Sequence, residues 1–214
     1  LDSFTISTDA VAGGNPLTGT VTLFQPAPAG GVNVLLSTDS PSLVTFPLAT
    51  VTIPQGQQSL TFDVDTEGVA ADTDVNISTT VEGVGLTQPL KLLPATVSGI
   101  TFNPTSVNGG EQSTATVRLD GKAVDGTIVL ITQDAGTPVT YVRTDGSLTG
   151  LPVQLTLKKG DTEVQFVVQT PAVTTSNTSA TLRAATNGSS QTGTLLIESN
   201  DIVGLSVAAT DVLG

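Results

Sequence analysis

The 214-residue chain contains no cysteine, histidine, methionine or tryptophan, and a single tyrosine, Tyr141. Without cysteine, neither a disulfide nor a thiolate metal site can contribute. In an exported protein that absence fits a bacterial surface better than an animal secretory route. Without histidine there is no Ser-His-Asp or Cys-His arrangement, no zinc site of the usual kind, and no side chain that titrates near neutrality unaided. The flat aromatic platforms that stack on sugar rings are missing too. Lys and Arg number 7 against 19 Asp and Glu, a formal charge of −12. Affinity for nucleic acid comes mainly from neutralising phosphates, so this balance argues against a nucleic-acid partner. An anionic membrane surface would repel the chain for the same reason. No apolar run reaches the length of a membrane span, so direct membrane insertion is not expected. Leu1 is not an initiator methionine and no signal-peptide pattern follows it, which makes the sequence read as a mature or excised piece of something longer.

What the chain does have is repetition. The opening "DSFTISTDAVAGG", the mid-chain "SGITFNPTSVNGG" and the closing "IVGLSVAATDVLG" are copies of one motif. Phe4, Ile6, Val11 and Gly13 correspond to Ile100, Phe102, Val107 and Gly109, and then to Leu205, Val207, Val212 and Gly214. The match continues: "GTVTL" with "ATVRL", "VNVLLST" with "TIVLITQ", and "TIPQGQQSLTFDVDT" with "TLKKGDTEVQFVVQT". Near the ends, Val75, Ile77, Leu90 and Leu92 fall on Ala180, Leu182, Leu195 and Ile197. Residues 1–96 and 97–200 are therefore predicted to be two versions of one domain. The second carries an insertion at about 134–150, and 201–214 is the first strand of a following repeat or an exchanged strand.

Within each unit, apolar and polar residues alternate with a period of two between Gly, Pro, Asn and Asp punctuation, the pattern of half-buried strands. Strands are predicted near 3–7, 18–24, 32–37, 50–53, 58–65, 74–81 and 86–93, and again near 99–103, 113–119, 127–132, 153–158, 162–168, 179–185 and 191–197. Seven short strands in about 100 residues predict a Greek-key sandwich of immunoglobulin type. The fold class is thus all-β: two tandem immunoglobulin-like β-sandwiches plus the first strand of a third. The glycine pairs Gly13-Gly14 and Gly109-Gly110 mark places where the chain changes sheet and needs positive φ.

The succession "TISTDAVAGG", "TGTVTLFQPAPAGG", "VTIPQGQQSLTFDVDT" resembles the tandem immunoglobulin-like repeats of large bacterial surface proteins, among them adhesin stalks and S-layer-associated proteins. The resemblance covers nearly all of both units. It implies an extracellular, cell-surface location and a structural rather than catalytic role. The second unit departs from the pattern with "VRLDGKAVDG" in place of "VTLFQPAPAGG".

Candidate sites are few. "DVDTEGVAADTD" places Asp63, Asp65, Glu67, Asp72 and Asp74 close together, and carboxylates at that density could supply oxygen ligands to Ca²⁺. The alternative is a solvated acidic edge, because Asp63 and Asp65 alternate with Phe62 and Val64. The matching "VVQTPAVTTSNT" has no carboxylate, so calcium is not a property of the repeat. Glu198 and Asp201 at the second junction have no acidic counterpart in the first, "LLPAT". Tyr141 and Arg143 in the insertion are of the types common at interface anchors, or they belong to a decorated loop or an extra hairpin at a sandwich edge. Asn76, Asn177 and Asn187 fit the N-glycosylation triplet. Lys91, the only cation before residue 97, is expected to face solvent rather than enter a Lys–Asn crosslink.

Three functions follow. The first is a stalk, spacer or fibre component made of neighbouring repeats. The second is a filament subunit joined to copies of itself by strand addition through Ile202, Leu205, Val207 and Val212. The third is an adhesive module that binds a surface ligand through Tyr141 and Arg143.

Overall fold

A computed structural model describes residues 1–172 and 175–200. No helix occurs among them, so none is long and apolar enough to cross a membrane. The first unit consists of β1 (Ser3–Ile6), β2 (Ala10–Ala12), β3 (Leu17–Thr22), β4 (Val32–Thr38), β5 (Val44–Thr45), β6 (Thr50–Ile53), β7 (Ser59–Thr66), β8 (Thr73–Val81) and β9 (Val84–Leu93). They form two sheets ordered β1-β3-β7-β5 and β2-β9-β8-β4-β6. The second unit consists of β10 (Val97–Asn103), β11 (Ser106–Asn108), β12 (Gln112–Leu119), β13 (Ile128–Gly136), β14 (Thr140–Val142), β15 (Leu148–Thr149), β16 (Val153–Thr156), β17 (Glu163–Gln169), β18 (Thr178–Thr186) and β19 (Ser189–Glu198). Its sheets run β10-β12-β17-β14-β15 and β11-β19-β18-β13-β16.

Each sandwich forms because a period of two sends alternate side chains to one face. In β7, Phe62 and Val64 are buried while Thr61, Asp63 and Asp65 stay exposed. Each unit has its own core, one built around Val21, Val34, Ile53, Ile77 and Leu92, the other around Val117, Ile131, Leu157, Leu182 and Ile197. The duplication extends to the hydrogen-bond registers. Phe4 lies opposite Val21 as Ile100 does opposite Val117, and Gly19 opposite Phe62 as Ala115 does opposite Phe166. Val75 faces Leu90 as Ala180 faces Leu195, and Val11 faces Leu92 as Val107 faces Ile197.

The structure adds strands that the alternation does not show. The first strand of each unit is split between the sheets: β1 and β10 pair antiparallel with β3 and β12, while β2 and β11 run parallel to β9 and β19. The insertion folds as a hairpin at a sheet edge, where β14 pairs with β17 and β15 with β14. Its turn closes by the Arg143 N–H donating to the Ser147 carbonyl at 2.8 Å.

In each glycine pair only the second residue is left-handed, Gly14 at φ 97° and Gly110 at φ 87°. The first has a different reason: at Gly13 no Cβ fits against the Glu67 carbonyl, while at Gly109 a Cβ would displace the Asn200 side chain and stand 3.2 Å from the Pro171 carbonyl.

Candidate functional site: the joint between the units

The acids of "DVDTEGVAADTD" do not converge. Asp63 and Asp65 project from the exposed face of β7. Asp74 accepts an ion pair from Lys91 at 2.8 Å, and that hydrogen bond, with the charge behind it, raises the Lys91 pKa. Asp72 adds a weaker attraction to the same ammonium. Glu67 turns away from them toward the second unit. Among the described residues no three acids form a group that could hold a metal ion. Glu198 accepts a hydrogen bond from Ser106, and Asp201 lies outside the described residues.

Tyr141 is half-buried against the second core, its ring 6.3 Å from that of Phe166, while Arg143 sits past the end of β14 in the exposed turn. Ile202, Leu205, Val207 and Val212 lie outside the described residues. All three glycosylation-type asparagines use their amides internally. Asn76 donates to Asp39, Asn177 accepts from the Ser199 N–H, and Asn187 donates to the Ala95 carbonyl.

What the fold does assemble is a joint at the end of the first unit, where β2 and β9 stop and β7 hands over to β8. The last inward position of β7 is Thr66, 2% exposed. Its hydroxyl accepts the Gly14 N–H at 2.9 Å and donates to the Asn15 carbonyl at 2.7 Å, which pins the Gly13-Gly14 turn. The Gly13 N–H donates to Leu93 of β9 at 2.9 Å. The Gly13 carbonyl is then left facing the second unit, where it accepts the Lys122 N–H at 2.8 Å. Beside it, Asn15 Nδ2 donates to the Asp120 carbonyl at 2.6 Å.

Lys122 lies between Gly14 and Gly68, neither of which has room for a Cβ because of it. Its Nζ reaches Glu67 Oε1 at 3.2 Å, and Lys159 Nζ stands 3.7 Å from Oε2. The aliphatic stem packs while the ammonium stays at the rim.

The connection between the units is Pro94, Ala95 and Thr96, and it is held from the second unit. Asp120 accepts the Thr96 N–H at 2.6 Å on one oxygen and the Thr96 hydroxyl at 2.7 Å on the other, and its own N–H donates back to Thr96 at 3.0 Å. Ala95 and Val97 are each 2% exposed within the second core. A crevice of about 390 Å³ beside the connection is lined by Ala70 of the first unit and by Val124, Gly126, Thr186 and Asn187 of the second. The Lys122–Glu67 ion pair, with both side chains about one third exposed, is screened by solvent and contributes only on the order of 1 kcal/mol. The closer contacts at the joint are the Lys122 N–H on the Gly13 carbonyl, the Asn15 amide on the Asp120 carbonyl and the packing of Lys122 on Gly14 and Gly68.

Sequence reasoning singled out Glu67 only as an acid among acids and gave Lys122 no role. The available signal was divergence between the copies. Lys122 stands where the first unit has Pro26, and Glu67-Gly68 stand where the second has Pro171-Ala172.

No family model matches the chain, and no curated protein matches it. Among solved structures it is similar to the C-terminal domain of the AgI/II polypeptide BspA of Streptococcus agalactiae, at 11% identity and a TM-score of 0.30 over 89% of this chain and 95% of that one. It is similar to domains 4 and 5 of the S-layer protein SbsC at 15% identity and a TM-score of 0.30, covering 92% and 97%. It is also similar to CBD12 from CALX1.2 at 10% identity and a TM-score of 0.35, covering 85% and 78%. At this distance the fold assignment rests on the strand order and registers themselves.

Proposed function

We propose that the chain is a non-catalytic structural part of an extracellular bacterial surface protein, a stalk, spacer or fibre component in which sandwich units are held end to end. The observation that carries this reading is the joint. A three-residue connection fixed by Asp120 and Asn187 leaves little freedom for one unit to turn on the other. The acidic surface, −12 over the whole chain, keeps such units soluble and apart from anionic surfaces. Neighbouring repeats are then the natural partners, with each unit adding its own stability plus that of its contacts. Tyr141 already has a structural use against Phe166 and is not needed as a ligand contact.

Residual dipolar couplings measured on both units of the intact chain test this. One common alignment frame is expected, and its division into two in an Asp120→Ala/Lys122→Ala variant. Two independent frames in the unmodified chain would sink the spacer reading.

A further inference from the structure

We propose that the far end of the second unit is a socket for the leading end of the first unit of a second copy of this chain, so that copies join head to tail through the same kind of contact that links the units within one chain. The inference rests on reading the chain as joined sandwiches and adds a specific partner.

The plug is defined by equivalence. In the second unit, the loop that enters the joint is fixed by the Leu119 N–H to Thr162, the Ala123 N–H to Asp161 and the Gly160 N–H to Ala123, at 2.8, 2.8 and 2.9 Å. The first unit repeats this with the Leu23 N–H to Gln58, the Ala27 N–H to Gln57 and the Gly56 N–H to Ala27, at 2.8, 2.8 and 2.9 Å. Ala27 and Ala123 are buried alike, at 4% and 2%. Pro26 therefore occupies the place of Lys122, and Phe24 that of Asp120. Phe24 is 72% exposed, which leaves an aromatic ring in water at the leading end.

The socket is defined in the same way. Thr170 pins the Gly109-Gly110 turn by donating to the Glu111 carbonyl at 2.8 Å, as Thr66 does to Asn15. Beside it, a cavity of about 440 Å³ is lined by Gly110, Thr170, Pro171 and Ala172, with Pro138 and Leu148 supplied by the insertion. These are the counterparts of the groups that receive Lys122, except that Glu67 has become Pro171 and the insertion adds two apolar side chains. Among the described residues, a Cβ on Gly110 would come nearest to Ala172, at an ordinary 3.5 Å, whereas at Gly14 it would run into Lys122.

Plug and socket change together. The joint inside the chain matches a lysine with a glutamate; the one proposed between copies matches Phe24 and Pro26 with Pro171, Ala172, Pro138 and Leu148. The backbone agrees as well. Lys122 gives its N–H to the Gly13 carbonyl, but a proline has none to give. The equivalent Gly109 carbonyl takes its hydrogen bond from Asn200 Nδ2 at 2.9 Å.

The chain has no cysteine, so a crosslink reads cleanly. Full-length Pro26→Cys protein mixed with full-length Ala172→Cys protein under mild oxidation should form the mixed disulfide at least tenfold faster than Asp63→Cys mixed with Ala172→Cys. Adding Pro171→Glu to the Ala172→Cys partner should bring the rate down to that of the control. Adding Leu205→Asp and Val207→Asp should leave it unchanged. Equal rates in the two mixtures overturn the proposal. So does a rate that survives Pro171→Glu but is lost with Leu205→Asp and Val207→Asp, which would assign association to strand addition. A common alignment frame with no preferential crosslink removes this inference alone, and two frames remove the spacer reading.

Discussion

In the first unit Phe4 lies on Phe62, ring centroids 6.0 Å apart and 19° from parallel, and Gly19 has no room for a Cβ because both rings crowd it. In the second unit the same positions hold Ile100, Phe166 and Ala115. A smaller aliphatic side chain at one position goes with one more methyl at its neighbour, so the volume inside the sandwich is kept while its residues drift. The ends of the units behave differently. There Lys122 and Glu67 stand where their counterparts are Pro26 and Pro171, and what changes is charge. Interiors diverge under a volume constraint, whereas at the ends of the units it is charge that diverges.

Breaking the cores separately has the largest expected effect. Leu90→Ala and Leu195→Ala each remove a side chain no more than 1% exposed, with an expected cost of about 2–5 kcal/mol. Calorimetry should show each change lowering the transition of its own unit; equal displacement of both would mean that the two cores melt as one.

The compensation itself is sharpened by Gly19→Ala, expected to destabilise the first unit by about 1–3 kcal/mol through overpacking on Phe62. Combining it with Phe4→Ile recreates the pair found in the second unit and should recover most of that loss in denaturant titrations. No recovery would show that the two positions are independent.

The turn threonines come next. Thr66→Val removes an acceptor for Gly14 and a donor for Asn15, whereas Thr170→Val removes a donor to Asn108 and Glu111. The first should cost on the order of 1 kcal/mol, and the second less. Equal losses in melting temperature would contradict the added role of the Thr66 hydroxyl as acceptor.

The smallest effect concerns Asp39 and Asp134, which stand at matching positions of the two units, Asp39 just past β4 and Asp134 within β13, but are held by different chemistry. The Asn76 backbone N–H, with the Asn76 side-chain amide behind it, lowers the Asp39 pKa from its ordinary 3.8. A hydrogen bond from Arg183 does the same for Asp134. A carboxylate whose folded pKa is depressed adds stability above its unfolded value, and that stability is lost as pH falls through the folded value. Asp39→Asn and Asp134→Asn should therefore each lower the melting temperature at neutral pH, with both differences vanishing in acid below 3.8. Added salt should shrink the Asp134 difference and leave that of Asp39 largely intact, because only Asp134 faces a cation. Identical salt responses would refute the distinction.

The main strands were legible because alternation with a period of two is a direct record of which side faces the core. Strands β2, β11 and β5 have only two or three residues each, too few to show a period, and they are recognised by their partners in space. The edge hairpin of the insertion was legible only as one of two readings of Tyr141 and Arg143. Of the joint, the sequence showed the glycine pairs but gave the wrong reason for the first glycine of each, since neither Gly13 nor Gly109 has positive φ and Gly13 is held by the close approach of the Glu67 carbonyl. Lys122 and Glu67 lie 55 residues apart in the chain, and nothing local links them.

The parallel pairing of β2 with β9, and of β11 with β19, has one further consequence. The strand near the entrance of each sandwich and the strand at its exit lie side by side and point the same way. Tension applied to the two ends therefore slides one along the other, loading their hydrogen bonds together in shear instead of unzipping them one at a time.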